Sequence, residues 1–108
     1  MSGSGGYAVE YLPAAKRDLV EIVSYVSNDL GSPGSARTLA KKLVDGIESL
    51  STLPYRRPVF VPMRPLAHEF RSLRIANYLV FYWVDEPTRS VTVARVLYAR
   101  ADSEKKLN

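Results

Sequence analysis

The 108-residue chain has no cysteine, a single histidine and a single tryptophan. Without a thiol it can form no disulfide, and cysteine nucleophiles and thiolate metal sites are excluded as well. One His and dispersed carboxylates offer no ligand set at metal-binding spacing, so neither a metal nor any other cofactor is expected. Long apolar runs are also lacking. The longest, Tyr78 to Val84, spans seven residues, far fewer than the roughly 20 that a membrane helix needs. No leader with a charged and then an apolar stretch opens the chain. These absences fit a protein of a reducing cytoplasm with no membrane partner. Residues 1–6, Met-Ser-Gly-Ser-Gly-Gly, read as a flexible linker or a cloning remnant outside the fold.

The charge is uneven along the chain. Residues 1–54 carry five basic and six acidic side chains, whereas residues 55–108 carry ten and five. Eight of those ten cations are arginines. The planar guanidinium fork matches phosphate or carboxylate, so a basic half on a near-neutral half points to an anionic partner. A solubilising surface is the plainer explanation of the same count.

The stretch Tyr78-Leu79-Val80-Phe81-Tyr82-Trp83-Val84 is β-branched, aromatic or Leu throughout. With no polar face, it reads as a central strand covered on both sides. Turn residues at 85–89 separate it from a second strand, Val91 to Tyr98, and Ala76-Asn77 joins it to an earlier one, Glu69 to Ile75. Tight connections make these an antiparallel meander. Upstream, Tyr7 to Tyr11 alternates enough for a short strand. Pro13 then opens a helix whose apolar positions Ala15, Leu19, Ile22, Val26 and Leu30 step by three or four. Gly31 is a C-cap, and Ser32-Pro33 restarts a second helix with Ala36, Leu39, Leu43, Ile47 and Leu50 in phase. Between the helices and the meander, residues 53–67 hold Pro54, Pro58, Pro62 and Pro65 with Arg56, Arg57 and Arg64 among them. That composition predicts an ordered basic loop with at most a short edge segment at Val59–Val61. The expected architecture is α+β: an N-terminal strand and a helical hairpin packed on an antiparallel sheet, in one domain over residues 7–102. Residues 103–108 are expected to be a polar tail. Leu19, Ile22, Leu43 and Ile47 are expected against Phe81 or Trp83, and the other sheet face is expected to be open.

This order of elements resembles the RelE/ParE superfamily of bacterial type II toxin–antitoxin toxins. The likeness is carried by Tyr11-Leu12-Pro13-Ala14-Ala15-Lys16-Arg17-Asp18-Leu19 with Ile22 and Tyr25, by Asn77-Tyr78-Leu79-Val80-Phe81-Tyr82, and by Arg95-Val96-Leu97-Tyr98-Ala99-Arg100. It implies a growth-arresting toxin held inactive by a cognate antitoxin. Its target would be either DNA gyrase, in the ParE-like manner, or ribosome-bound mRNA, in the RelE-like manner. By the resemblance, Arg71 stands near the first catalytic base of RelE-like enzymes and Arg100 near their last Arg. Two positions depart from that pattern: Leu79, not Arg, follows Tyr78, and Leu73 falls where a second base is expected. The first-helix pattern Ala15, Asp18, Leu19, Ile22 and Tyr25 is more similar to the ParE side. The resemblance therefore implies gyrase inhibition ahead of RNA cleavage, with a non-toxic partner-binding domain as a third possibility.

Taken by chemistry, RNA cleavage needs a base, an acid and cations around one phosphate. His68 has the best ordinary pKa for a base, although a surface or capping role is common for a strand-edge His. Alternation sets Arg71 with Leu73 and Ile75 on one face and Arg74 with Phe70 on the other, and Arg95 out of phase with Tyr98 and Arg100. At least one of these arginines must then be a structural ion-pair partner. The candidate catalytic set is Arg71, Arg100 and His68. The candidate contacts to target or antitoxin are Arg56, Arg57, Arg64, Arg74, Tyr78, Arg95 and Tyr98. Tyr82 is expected to be buried with its hydroxyl satisfied.

Overall fold

In the computed structural model, which describes residues 6–62 and 66–107, strand β1 (Ala8–Tyr11) leads into helix α1 (Pro13–Ser24). Pro13 sits in the first turn of α1, where its missing N–H leaves no bond unmade. The helix winds on as one π turn, Tyr25–Asp29, and ends at Gly31, whose φ of 63° suits a residue without a Cβ. Helix α2 (Pro33–Glu48) runs back and closes in a 3₁₀ turn, Ser49–Ser51. After a second 3₁₀ turn at Pro54–Arg56 come strands β2 (Arg71–Ile75), β3 (Tyr78–Asp85) and β4 (Ser90–Tyr98). The four strands form one sheet in the order β1-β4-β3-β2. The meander is antiparallel as expected, while β1 joins it parallel to β4, pairing only with Ser90 to Val93. The edge segment expected at Val59–Val61 is a single bridge, Val59 to Arg71, with Phe60 N–H bonded to Phe70 O at 2.7 Å.

Both helical stripes lie on one sheet face. Ala15, Leu43, Ile47 and Leu50 pack with Leu73, Val80, Tyr82, Val91, Val93 and Val96, while Leu19 and Ile22 are half-buried at its margin. Gly46 brings α2 close to β2: a Cβ there would stand 2.5 Å from Ile75 Cδ1.

The phase of the central strand differs from the sequence expectation. Val80 and Tyr82 face the helices, and Phe81 and Trp83 face away. A run that is apolar on both sides carries no phase signal, so either assignment was compatible with it. The register fixes it: Phe81 pairs with Arg95 and Tyr82 with Val93, which leaves Ala94 as the extra residue of a β-bulge. The sheet's second face is not open either. Phe70, Phe81, Ala94 and Leu97 form a second core there, roofed by Phe60, Leu66 and Leu107. Leu107 belongs to a short helix α3 (Ser103–Leu107) in the stretch read from sequence as a polar tail. One leucine among polar residues gave little sign of that anchor.

Candidate functional site

Strand β1 ends at Tyr11, so the outer edge of β4 is unpaired by any strand from Ala94 to Tyr98. The chain turns at Leu12, whose N–H bonds Val93 O, and α1 then carries Asp18 to the bare edge. There the Asp18 carboxylate accepts three bonds: from Val96 N–H at 2.9 Å, Arg95 Nε at 2.7 Å and Arg95 Nη2 at 2.8 Å. These bonds to Asp18 hold the Arg95 guanidinium above its ordinary, already high pKa. Arg95 Nη1 also reaches Lys106 O of α3 at 3.3 Å. Arg95, a candidate binding residue, is thus the structural ion-pair partner that strand alternation required. Its carboxylate sits inside the apolar stripe of α1, three residues after Ala15 and four before Ile22, which was the available sequence signal.

Beside this edge runs a groove of about 740 Å³, lined on the helical side by Ile22, Tyr25 and Leu30 and on the sheet side by Tyr78, Leu97 and Tyr98. Tyr25, Leu30 and Tyr98 are about half exposed, and the Tyr78 and Tyr98 rings meet edge to face at 6.0 Å. Partial burial, then the neighbouring Tyr25 and Tyr98, raises the pKa of Tyr78. An exposed groove, largely apolar and aromatic but rimmed by Glu21, Arg95 and Lys106, is suited to an added segment of another chain.

At the opposite end of the sheet, side chains fasten the basic loop. Tyr82, fully buried as expected, donates its hydroxyl to Pro54 O at 2.6 Å. Arg71 Nη1 donates to Arg57 O at 2.7 Å and to Tyr55 O at 3.3 Å, and its guanidinium lies 5.0 Å from the centre of the Tyr55 ring. Tyr55 and Tyr7 both donate to Glu86 Oε2, at 2.6 and 2.5 Å. Those bonds, from Tyr55 first and then Tyr7, lower the Glu86 pKa. The same bond to Glu86, more than burial, pushes the Tyr55 hydroxyl up to about 12.

The three candidate catalytic residues are not brought together. Arg71 opens β2 opposite Tyr82 and faces the helical side with Leu73. Arg100 lies two residues beyond Tyr98, which pairs with Tyr78, itself the partner of Ile75. The four-residue step from Arg71 to Ile75 alone separates them by roughly 13 Å along the strand. His68 lies on the other sheet face, stacked flat on Trp83 at 3.6 Å with 3° between the rings. Arg74, also a candidate contact, is exposed with Nε bonded to Ala76 O. Arg56 and Arg100 are exposed, Arg57 is half-buried, and none of the three side chains bonds another described residue. Arg64 lies outside the described residues. Among the described residues no group of three or more His, Asp or Glu side chains converges as metal ligands would. Nor is any helix among them long and apolar enough to cross a membrane.

The family model described as the ParE toxin of the type II toxin–antitoxin system parDE matches residues 9–103. No curated protein sequence matches the chain. Among solved structures, a chromosomal ParDE toxin–antitoxin system from P. aeruginosa superposes with a TM-score of 0.72 at 15% identity, covering 90% of this chain and 100% of that one. The RelBE2 toxin–antitoxin complex of Mycobacterium tuberculosis gives 0.62 at 23% identity, over 86% and 98% of the two chains. A doubly substituted E. coli RelE toxin in the free state gives 0.59 at 18% identity, over 94% and 93%. At these identities the structural likeness speaks for a shared fold.

Proposed function

The chain belongs to the family of ParE toxins of type II toxin–antitoxin systems, and on that premise we propose that it arrests growth by binding and inhibiting DNA gyrase in the cytoplasm. The dispersal of the candidate catalytic residues carries this reading. Arg71, Arg100 and His68 are spread over both ends and both faces of the sheet, and Arg71 is already bonded to two carbonyls. Charge developing on one phosphate in a transition state cannot be met by cations so far apart. Inhibition by binding makes no such demand. The alternative, a RelE-like ribosome-dependent endoribonuclease, draws support from Tyr98 and Arg100, two residues apart and both exposed at the end of β4.

A cognate antitoxin neutralises the toxin by filling the Tyr25–Tyr78–Tyr98 groove beside the β4 edge that Asp18 caps. The net charge of +4 favours an antitoxin segment that mixes apolar with acidic residues. Binding should therefore weaken as salt rises, and Tyr98→Ala should cost the complex about tenfold or more in affinity, as loss of a central aromatic does. Titration of the two proteins at low and high salt checks both. An affinity indifferent to salt contradicts the electrostatic part, and one indifferent to Tyr98→Ala contradicts the seat.

The activity itself is tested by expressing the toxin without its antitoxin and following protein synthesis, cell shape and mRNA ends. Filamentation and DNA damage with continuing translation are expected. Rapid loss of translation with codon-phased cuts in ribosome-bound mRNA would overturn the reading in favour of the ribonuclease.

A further inference from the structure

The Pro54–Arg57 turn is short, exposed on one side and rich in charge, yet its backbone is fastened at three points by the sheet. Tyr82 holds Pro54 O from below, Arg71 holds Tyr55 O and Arg57 O, and Glu86 holds the Tyr55 hydroxyl. Leu53, which enters the turn, adopts a φ of 51°, a left-handed conformation that an L side chain tolerates only under local constraint. Arg71 is central to this arrangement. Its guanidinium is mostly buried, stacks on Tyr55, approaches Glu69 at 4.0 Å and spends one nitrogen on two carbonyls. That leaves it poorly placed to meet an external anion. The turn it fastens carries two cations, Arg56, exposed, and Arg57, half-buried, whose side chains bond no other described residue.

We propose that Arg71 is a positioning residue, which locks the Pro54–Arg57 turn so that Arg56 and Arg57 present a preformed pair of guanidinium forks to an acidic protein surface on the target. The proposal rests on the target-binding reading above. A protein surface is favoured over a nucleic-acid backbone by the carboxylates beside the turn. Glu86 and Glu69 stand next to Tyr55 and Arg71, where they repel a continuous row of phosphates but allow for a few discrete carboxylates. One face of the Tyr55 ring is also taken by Arg71 and its hydroxyl by Glu86, which leaves less of the side chain to offer a base. A turn held in its binding geometry loses less entropy on docking, which is the gain from such a clamp.

Trypsin reads the clamp directly. The Arg56–Arg57 bond lies in the turn, and the Pro that follows Arg57 protects the next bond. In the full chain, Arg71→Met should be cut at Arg56–Arg57 about tenfold faster than wild type, the scale set by losing a charged hydrogen bond from a local opening equilibrium. Its thermal midpoint should stay close to that of wild type. Arg71→Lys, which can restore one bond to Arg57 O, should recover part of the protection. Tyr55→Phe, which loses only the Glu86 bond, should be cut at an intermediate rate and serves if Arg71→Met does not fold. Arg71→Met and Arg57→Gln should both weaken inhibition of gyrase. Cleavage at the wild-type rate in Arg71→Met and Tyr55→Phe overturns the clamp. Lost inhibition in Arg71→Met with wild-type cleavage makes Arg71 a direct contact, which overturns the proposal equally. A wild-type chain without effect on gyrase contradicts the target reading instead, and the cleavage rates, which need no target, still decide the clamp.

Discussion

Replacing Asp18 by Ala is expected to destabilise the fold by about 3 kcal/mol, the scale of breaking a largely buried ion pair by removing one partner. The side chain of Asp18 is only 9% exposed and its carboxylate satisfies three donors at once. Alanine leaves the Val96 N–H without its acceptor and the Arg95 guanidinium without its counter-charge. Each orphaned donor carries its own desolvation cost. Asp18→Asn keeps one acceptor oxygen and should lose less, because Val96 or Arg95 can still be met. Urea unfolding of both variants measures the difference. A change near zero for Asp18→Ala would show that this carboxylate does not seal the β4 edge. The consequence reaches the groove as well, since Asp18 joins α1 to the strand that forms the groove's floor.

Leu43→Ala should cost about 2 to 5 kcal/mol, depending on how far the site can collapse. Leu43 is fully buried on α2, in the core shared with Leu73, Val80 and Tyr82. Gly46, one turn on, already lies against Ile75, so α2 has little room to settle into the space left. That argues for the upper part of the range. A midpoint in denaturant unchanged from wild type would place the stripe of α2 outside the core.

Much of this architecture was legible because it depends on local periodicity. The steps of three and four from Ala15 to Leu30 and from Ala36 to Leu50 marked both helices, and Gly31 marked the break between them. Tyr82 could be read as buried because a strand without a polar face has nowhere else to put it. Phase was another matter. Val80 and Phe81 are both apolar, so only cross-strand register, with its bulge at Ala94, decides which of them meets the helices. Asp18 and Arg95 lie 77 positions apart, and nothing local ties one to the other. A charge within an apolar stripe is a local sign that Asp18 needs a partner, but it does not say which. The candidate site suffered from the same limit. Arg71 and Arg100 are paired because the resemblance sets them near the first base and the last Arg of RelE-like enzymes, but they fall at opposite ends of the sheet, which topology decides and spacing does not. The tie of Tyr7 and Tyr55 to Glu86 joins three distant segments and left no sequence signal at all.

That the toxin works by binding is most directly tested with purified components. Gyrase supercoiling of relaxed plasmid should fall as the purified chain is added, and should recover when the cognate antitoxin is present in excess. Supercoiling unaffected by the chain, while the same preparation cuts mRNA on ribosomes, would contradict the account.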